Sequence, residues 1–161
     1  MKRLIIMRHA KSDWEAGAGS DHERPLNPRG KREAPLVAAE LASSGLRPDR
    51  VISSDSTRTR ETWARMEERF PGATVEFDPK LYLAGIDAAR AALAALDDAA
   101  RTVLVLGHNP GWEDMVSSLA RQRVELKTAH AAVFEAAREV SWAELLEADN
   151  VVFVRVVTPG D

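Results

Sequence analysis

Two histidines stand directly behind apolar runs of strand length. Arg8-His9 follows Leu4-Ile5-Ile6-Met7, and His108 follows Val103-Leu104-Val105-Leu106-Gly107. The chain has only four histidines, so the repeated setting is informative. In an open α/β sheet, ligands bind beyond the carboxyl ends of parallel strands. A neutral imidazole placed there is a nucleophile that can take a phosphoryl group as a phosphoramidate. The guanidinium beside it offers a planar fork of donors matched to phosphate oxygens. An isolated Arg-His pair is also a common surface dipeptide. The chemical reading therefore depends on what else converges on these strand ends.

Ser53-Ser54-Asp55-Ser56-Thr57-Arg58-Thr59-Arg60-Glu61-Thr62 lies where a second strand turns into a helix. Its serines, Asp55 and Thr57 suit a helix N-terminus, which favours anions. Arg58 falls in the first turn, where it can point at the same anion; the other reading is an ion pair with Glu61. Arg60, two residues on, must face elsewhere. His108-Asn109-Pro110-Gly111 repeats the strand-to-helix setting, with Asn109 as a cap and Pro110 as a helix opener. His108 there can donate to a phosphoryl oxygen or move a proton, or it can be a satisfied loop histidine.

Strand-like and helix-like segments alternate, as in a parallel sheet covered by helices. Strands are expected over 3–8, 50–54, 74–77, 102–107, 129–135 and 151–157. The segment 102–107 lacks alternation and so has both faces buried. Residues 13–27 form a polar loop. Asn27-Pro28 caps and opens a helix that stops at Gly45; Pro35 requires either a later start, near Lys31, or a kink. A helix from about Ser56 places Thr59, Trp63, Met66 and Phe70 on one face. Further helices carry Ile86, Ala89, Leu93 and Leu96, then Trp112, Met115, Val116 and Leu119. Ser141 and Glu144 suggest a capping box before a short helix. The expected fold is one domain over residues 1–161: a three-layer α/β/α sandwich, its sheet mostly parallel with one or two antiparallel late strands.

The chain is 161 residues long and 45% hydrophobic, enough for an ample core. Its net charge of -3 and lack of a basic block argue against nucleic acid. With no cysteine, disulfides and thiolate metal sites are excluded. The first strand begins too early to leave room for a signal peptide, and no apolar run reaches the roughly 18 residues of a membrane helix. A cytoplasmic protein without membrane contact is expected. His22, in a polar loop, and His130, at the start of a late strand, lack metal-site spacing.

The motifs together resemble the histidine phosphatase superfamily, and most closely its short SixA-type phosphohistidine phosphatases. The likeness runs through Met7-Arg8-His9-Ala10-Lys11-Ser12, Arg24-Pro25-Leu26 with Gly30, Ser53-Ser54 with Arg58 and Thr62, Gly107-His108-Asn109-Pro110-Gly111 and Lys127-Thr128-Ala129. The resemblance implies that His9 is the nucleophile, that Arg8 and Arg58 bind phosphoryl oxygens, and that His108 completes the pocket. It sets Arg24 near the site, though Arg24 also reads as a loop arginine paired with Asp21 or Glu23. Ser12 either lines the pocket or serves a turn, and Thr128 shapes the rim. No metal and no cofactor are implied.

Two departures matter. Ala10 replaces the superfamily's usual glycine. Mutases and larger relatives carry a proton-donating glutamate near residues 78–85, where this chain offers only Leu81, Tyr82 and Leu83; Tyr82 either borders the site or donates a proton. An alkoxide needs that proton to leave and an imidazole needs it far less. The missing carboxylate therefore points to phosphohistidine on a signalling or phosphotransfer protein. The alternatives are a phosphatase of small phosphorylated metabolites and a module that binds a phosphorylated partner without turnover.

Overall fold

The computed structural model describes residues 1–160. One sheet contains β1 (Arg3–Arg8), β2 (Arg50–Ser54), β3 (Thr74–Asp78), β4 (Thr102–Gly107), β5 (Ala131–Ala136) and β6 (Val151–Val157). Their spatial order is β3-β2-β4-β1-β5-β6. The strands β1 to β4 pair in parallel, while β5 runs antiparallel to both β1 and β6. The helices α1 (Pro28–Ser43), α2 (Thr57–Ala64), α3 (Ile86–Ala94) and α4 (Gly111–Ala120) cover the sheet. This is the expected α/β sandwich, with the late strands supplying the antiparallel pairings.

Successive residues of the central strands point to opposite faces. Leu4, Ile6, Val103 and Val105 pack with Leu93 of α3 and with Trp112, Met115 and Val116 of α4. Ile5, Met7, Leu104 and Leu106 pack with Val37 and Leu41 of α1 and Trp63 of α2. The helices that follow β1 and β4 thus lie on opposite faces although the two strands are neighbours. The chain leaves their carboxyl ends in opposite directions, and a crevice opens there.

Local chemistry fixes the helix starts. The Asn27 side chain accepts from Gly30 N–H at 2.8 Å, with Pro28 in the first turn. The helix α1 runs unbroken past Pro35 rather than starting later. A Cβ at Gly30 would lie 2.1 Å from the Lys11 carbonyl oxygen, so only glycine lets α1 approach the stretch after β1 so closely. The Ser56 side chain caps α2 through Thr59 N–H at 3.3 Å. That helix ends at Ala64, shorter than its apolar pattern suggests. Met66 and Phe70 are still buried, presented by a turn and the short 3-10 segment Glu67–Arg69. The first of the two late strands also starts later than expected: His130 N–H closes a turn onto Lys127 O at 3.0 Å, and β5 begins at Ala131, whereas β6 spans 151–157 as expected. Ser141 and Glu144 bond each other at 3.1 Å instead of capping backbone, and only a 3-10 turn, Trp142–Glu144, follows. Among the described residues no helix is long and apolar enough to cross a membrane.

Candidate active site

Register alone brings the two histidines together. Arg8 of β1 lies opposite Gly107 of β4, so the next residue of each strand leaves the sheet at the same edge. The His9 and His108 ring centroids are 5.3 Å apart. The His9 Nδ1–H donates to Ala10 O at 2.7 Å, which leaves Nε2 unprotonated; Arg58 Nε donates to its lone pair at 3.3 Å. Ala10, in glycine's place, is fully buried, and its N–H donates to Thr62 Oγ1 at 3.0 Å. The Thr62 hydroxyl donates in turn to Arg58 O at 2.7 Å, tying the histidine loop to α2.

His108 Nε2 and Ser54 Oγ are 2.8 Å apart, so the end of β2 orients the second imidazole. Asn109 donates to Leu126 O at 2.8 Å and accepts from Glu113 N–H at 3.2 Å, securing the first turn of α4.

Arg58 is only 2% exposed. It does not pair with Glu61, whose carboxylate accepts instead from Leu26 N–H at 2.8 Å. Its partner is Asp21, reached through the carboxylate at 3.0 Å and the backbone carbonyl at 2.7 Å. Arg60 turns away, donating to Asp55 O at 2.8 Å and lying over the Phe77 ring. Arg24 satisfies both of its sequence readings: it is buried at the site, and it pairs with Asp21 at 3.0 Å. It also donates to the hydroxyl of Ser12, which is itself buried.

The sequence reading named Asp21 only as a partner for Arg24 and missed it as the pocket's carboxylate and the partner of Arg58. Near residues 78–85, where the larger relatives carry their glutamate, Asp78 accepts from Lys80 N–H at 2.9 Å; just beyond, Asp87 pairs with Arg90 at 3.1 Å. Neither lines the pocket. The site nevertheless holds a carboxylate, delivered by the loop. Its sequence signal was the expected pairing with Arg24; that Arg58 shares it follows from the burial of both guanidiniums, which require a counter-charge. Tyr82 donates to Asp21 at 2.5 Å and sets its ring edge-on to His108 at 5.3 Å. His22, read as a bystander, bonds Asp55 at 2.9 Å and packs edge-on against Tyr82 at 4.8 Å, outside the pocket itself.

Arg8, His9, Ser12, Arg24, Arg58 and His108 line one pocket of about 370 Å³. Burial above all, with His108 and the Arg58 and Arg8 guanidiniums beside it, pushes the His9 pKa down to about 3 against the pull of the Ala10 carbonyl. Burial and then Arg58 likewise push His108 down to about 3. The Tyr82 hydroxyl, followed by Arg24 and Arg58, holds Asp21 well below the usual carboxylate range. Arg8 Nε, Arg24 Nε and His108 Nδ1 are buried without hydrogen-bond partners. Buried polar nitrogens are costly to leave unsatisfied, so three around one pocket mark a place for an acceptor-rich anion. A larger cleft of about 690 Å³ between α3, α4 and β6 contains no histidine, and its Arg90 and Arg121 are paired with Asp87 and Asp149.

Comparison with known proteins agrees with this geometry. Residues 4–82 match the model of the histidine phosphatase superfamily (branch 1). An uncharacterised chloroplastic protein of Arabidopsis thaliana is 38% identical over 154 residues, covering 89% of this chain and 70% of that protein. The structure of a proposed phosphohistidine phosphatase SixA from Nakamurella multipartita superposes with a TM-score of 0.87 at 30% identity, covering 99% of this chain and 97% of the other. A protein histidine phosphatase SixA bound to tungstate superposes with a TM-score of 0.80 at 25% identity, over 98% and 97%.

Proposed function

The chain belongs to the histidine phosphatase superfamily and is a phosphatase; we propose that it removes phosphate from phosphohistidine on a protein, through a phosphorylated His9 and without a metal ion. The carrying observation is the set of unpartnered buried nitrogens of Arg8, Arg24 and His108, on residues that line one pocket with His9, whose unprotonated Nε2 meets only a weak donor, Arg58 Nε at 3.3 Å.

His9 Nε2 attacks phosphorus in line. The bond from phosphorus to the leaving nitrogen breaks, its electron pair staying on the leaving imidazole, whose other ring nitrogen already carries a proton, so that it departs neutral. Water then attacks phospho-His9; the P–N bond returns its electrons to Nε2 and both water protons stay on the phosphate. Throughout, Nδ1 keeps its proton and donates it to the Ala10 carbonyl. Arg8 and Arg58 face the equatorial oxygens, where charge must be stabilised in both transition states. His108 contributes as an Nδ1–H donor when Ser54 donates to its Nε2.

An imidazole leaving group suits a site whose carboxylate is ionised. Asp21 accepts from Tyr82, Arg24 and Arg58 and so has no proton to give an alkoxide. The same residue is the one observation that favours a phosphatase of small phosphate esters, because a carboxylate does stand at the pocket. Turnover of phosphohistidine in a protein against simple alkyl phosphates separates the two. Efficient alkyl-ester hydrolysis, lost in Asp21→Asn, would establish the ester reading. Rapid quench during phosphohistidine turnover is expected to trap acid-labile, base-stable phosphate on His9.

A further inference from the structure

The pocket changes character from floor to mouth. At its floor, His9, Arg58 and His108 are buried and polar. At its mouth stand two large apolar side chains exposed to solvent, Trp14 at 72% and Leu83 at 55%. Seven large apolar side chains are exposed among the described residues, and these are the two that line the pocket.

Neither is placed casually. The Arg24 guanidinium lies 3.5 Å from the Trp14 ring centroid, a stacked cation–π contact. Arg24 is itself fixed by Asp21 and Ser12, so the indole is held against the phosphate-binding machinery. Trp14 also borders an adjoining cavity of about 270 Å³ with Ala16, Gly17 and Ala18. Leu83 has φ of 52°, a left-handed conformation that costs a branched-chain residue free energy and clusters at ligand clamps. An exposed leucine gains nothing from burial in return.

We propose that Trp14 and Leu83 form an apolar clamp on the leaving group, selecting substrates whose phosphate is carried by a ring or another flat apolar group. This rests on the phosphatase reading of the pocket. With the phosphoryl group among His9, Arg8 and Arg58, an in-line leaving group must point away from the nucleophile and out of the buried floor. The exposed apolar surfaces that line the pocket there are the Trp14 indole and the Leu83 side chain. A histidine ring gains contact with both; ammonia and a small alcohol gain none. The contact forms in the ground state and persists in the transition state, so it acts mainly on KM.

The test compares kcat/KM for phosphohistidine with that for phosphoramidate, whose leaving group is ammonia. In Trp14→Ala this ratio is expected to fall about tenfold, mainly through KM, given the usual strength of aromatic contacts. Leu83→Ser should lower it about threefold, and Trp14→Phe should restore most of it. Equal loss on both substrates, with the ratio unchanged, would show that Trp14 only props Arg24 and would overturn the clamp. Should the wild type ignore both N-phosphoryl compounds and hydrolyse esters, the phosphohistidine reading fails separately. The ratio of phenyl to methyl phosphate then decides the clamp: a fall in Trp14→Ala supports it, and no change overturns it.

Discussion

The two walls of the pocket are built differently. On one side, His9, His108 and Ser54 stand at the ends of neighbouring strands, and Arg58 stands in the first turn of α2. Their positions follow from ladder register and helix capping, and their side chains are buried. On the other side, Trp14, Asp21 and Arg24 come from a loop without strand or α-helix of its own. Ion pairs, the Tyr82 hydrogen bond and the Trp14–Arg24 stack hold that loop. The groups proposed to carry the chemistry thus sit at strand ends and a helix start. The groups proposed to meet the rest of the substrate sit where a loop can change without disturbing the sheet. Variants on the two walls should therefore behave differently.

The largest expected effect is on the strand wall. His9→Ala should lower kcat/KM by at least about a thousandfold, as removal of a nucleophile does, with circular dichroism unchanged and no phosphoenzyme trapped. Near-normal turnover would remove His9 from the chemistry. Arg58→Ala should cost about 100- to 1000-fold, and Arg58→Lys should recover only part, because a point charge cannot replace a planar fork. Arg60→Ala, two residues along and outside the pocket, should stay within about fivefold of wild type. Equal losses in the two alanine variants would undo the distinction between them.

On the loop wall, Asp21→Asn is expected to lower kcat/KM about tenfold for phosphohistidine and phosphoramidate alike, because it loosens Arg24 and Arg58 rather than removing a reacting atom. Its melting temperature should drop by only about 3 °C, the carboxylate being partly solvated. A loss rivalling that of His9→Ala would move Asp21 into the chemical step.

The pH response sharpens the contrast further. His9 and His108 titrate near 3 in the folded protein and near about 6.5 when unfolded. Between those values the unfolded state binds more protons, so stability is complete above about pH 6.5 and is lost as pH falls toward 3. Asp21, depressed by its partners, adds a loss only below its ordinary range. His9→Gln and His108→Gln should each flatten the melting-temperature slope between pH 6.5 and 4. After correction for substrate ionisation, kcat/KM should show no limb at 6.5; such a limb would mean an exposed nucleophile. The smallest effect is expected from excess chelator, which should leave activity unchanged, while tungstate should inhibit. Loss in chelator restored by a divalent ion would overturn the metal-free mechanism.

The strand wall was legible because its cues are local. An apolar run ending in Arg8-His9, a second ending in His108, and Ser56 capping a helix that starts at Thr57 each state their own position in the sheet. Where patterns misled, burial was right and conformation was not: Met66 and Phe70 belong to the core without belonging to α2.

Sequence alone therefore determined the α/β sandwich, the two strand-end histidines and the arginine at the start of α2. Periodicity and capping act over a few residues, and parallel pairing then brings strand ends to one edge. Only the tertiary structure decided that Asp21, not a residue of 78–87, supplies the pocket's carboxylate, and that Trp14 stands at its mouth. Those placements depend on charge pairing between segments far apart in the chain, such as Asp21 with Arg58 and Tyr82. A polar loop's sequence leaves its path open until buried guanidiniums elsewhere demand a counter-charge.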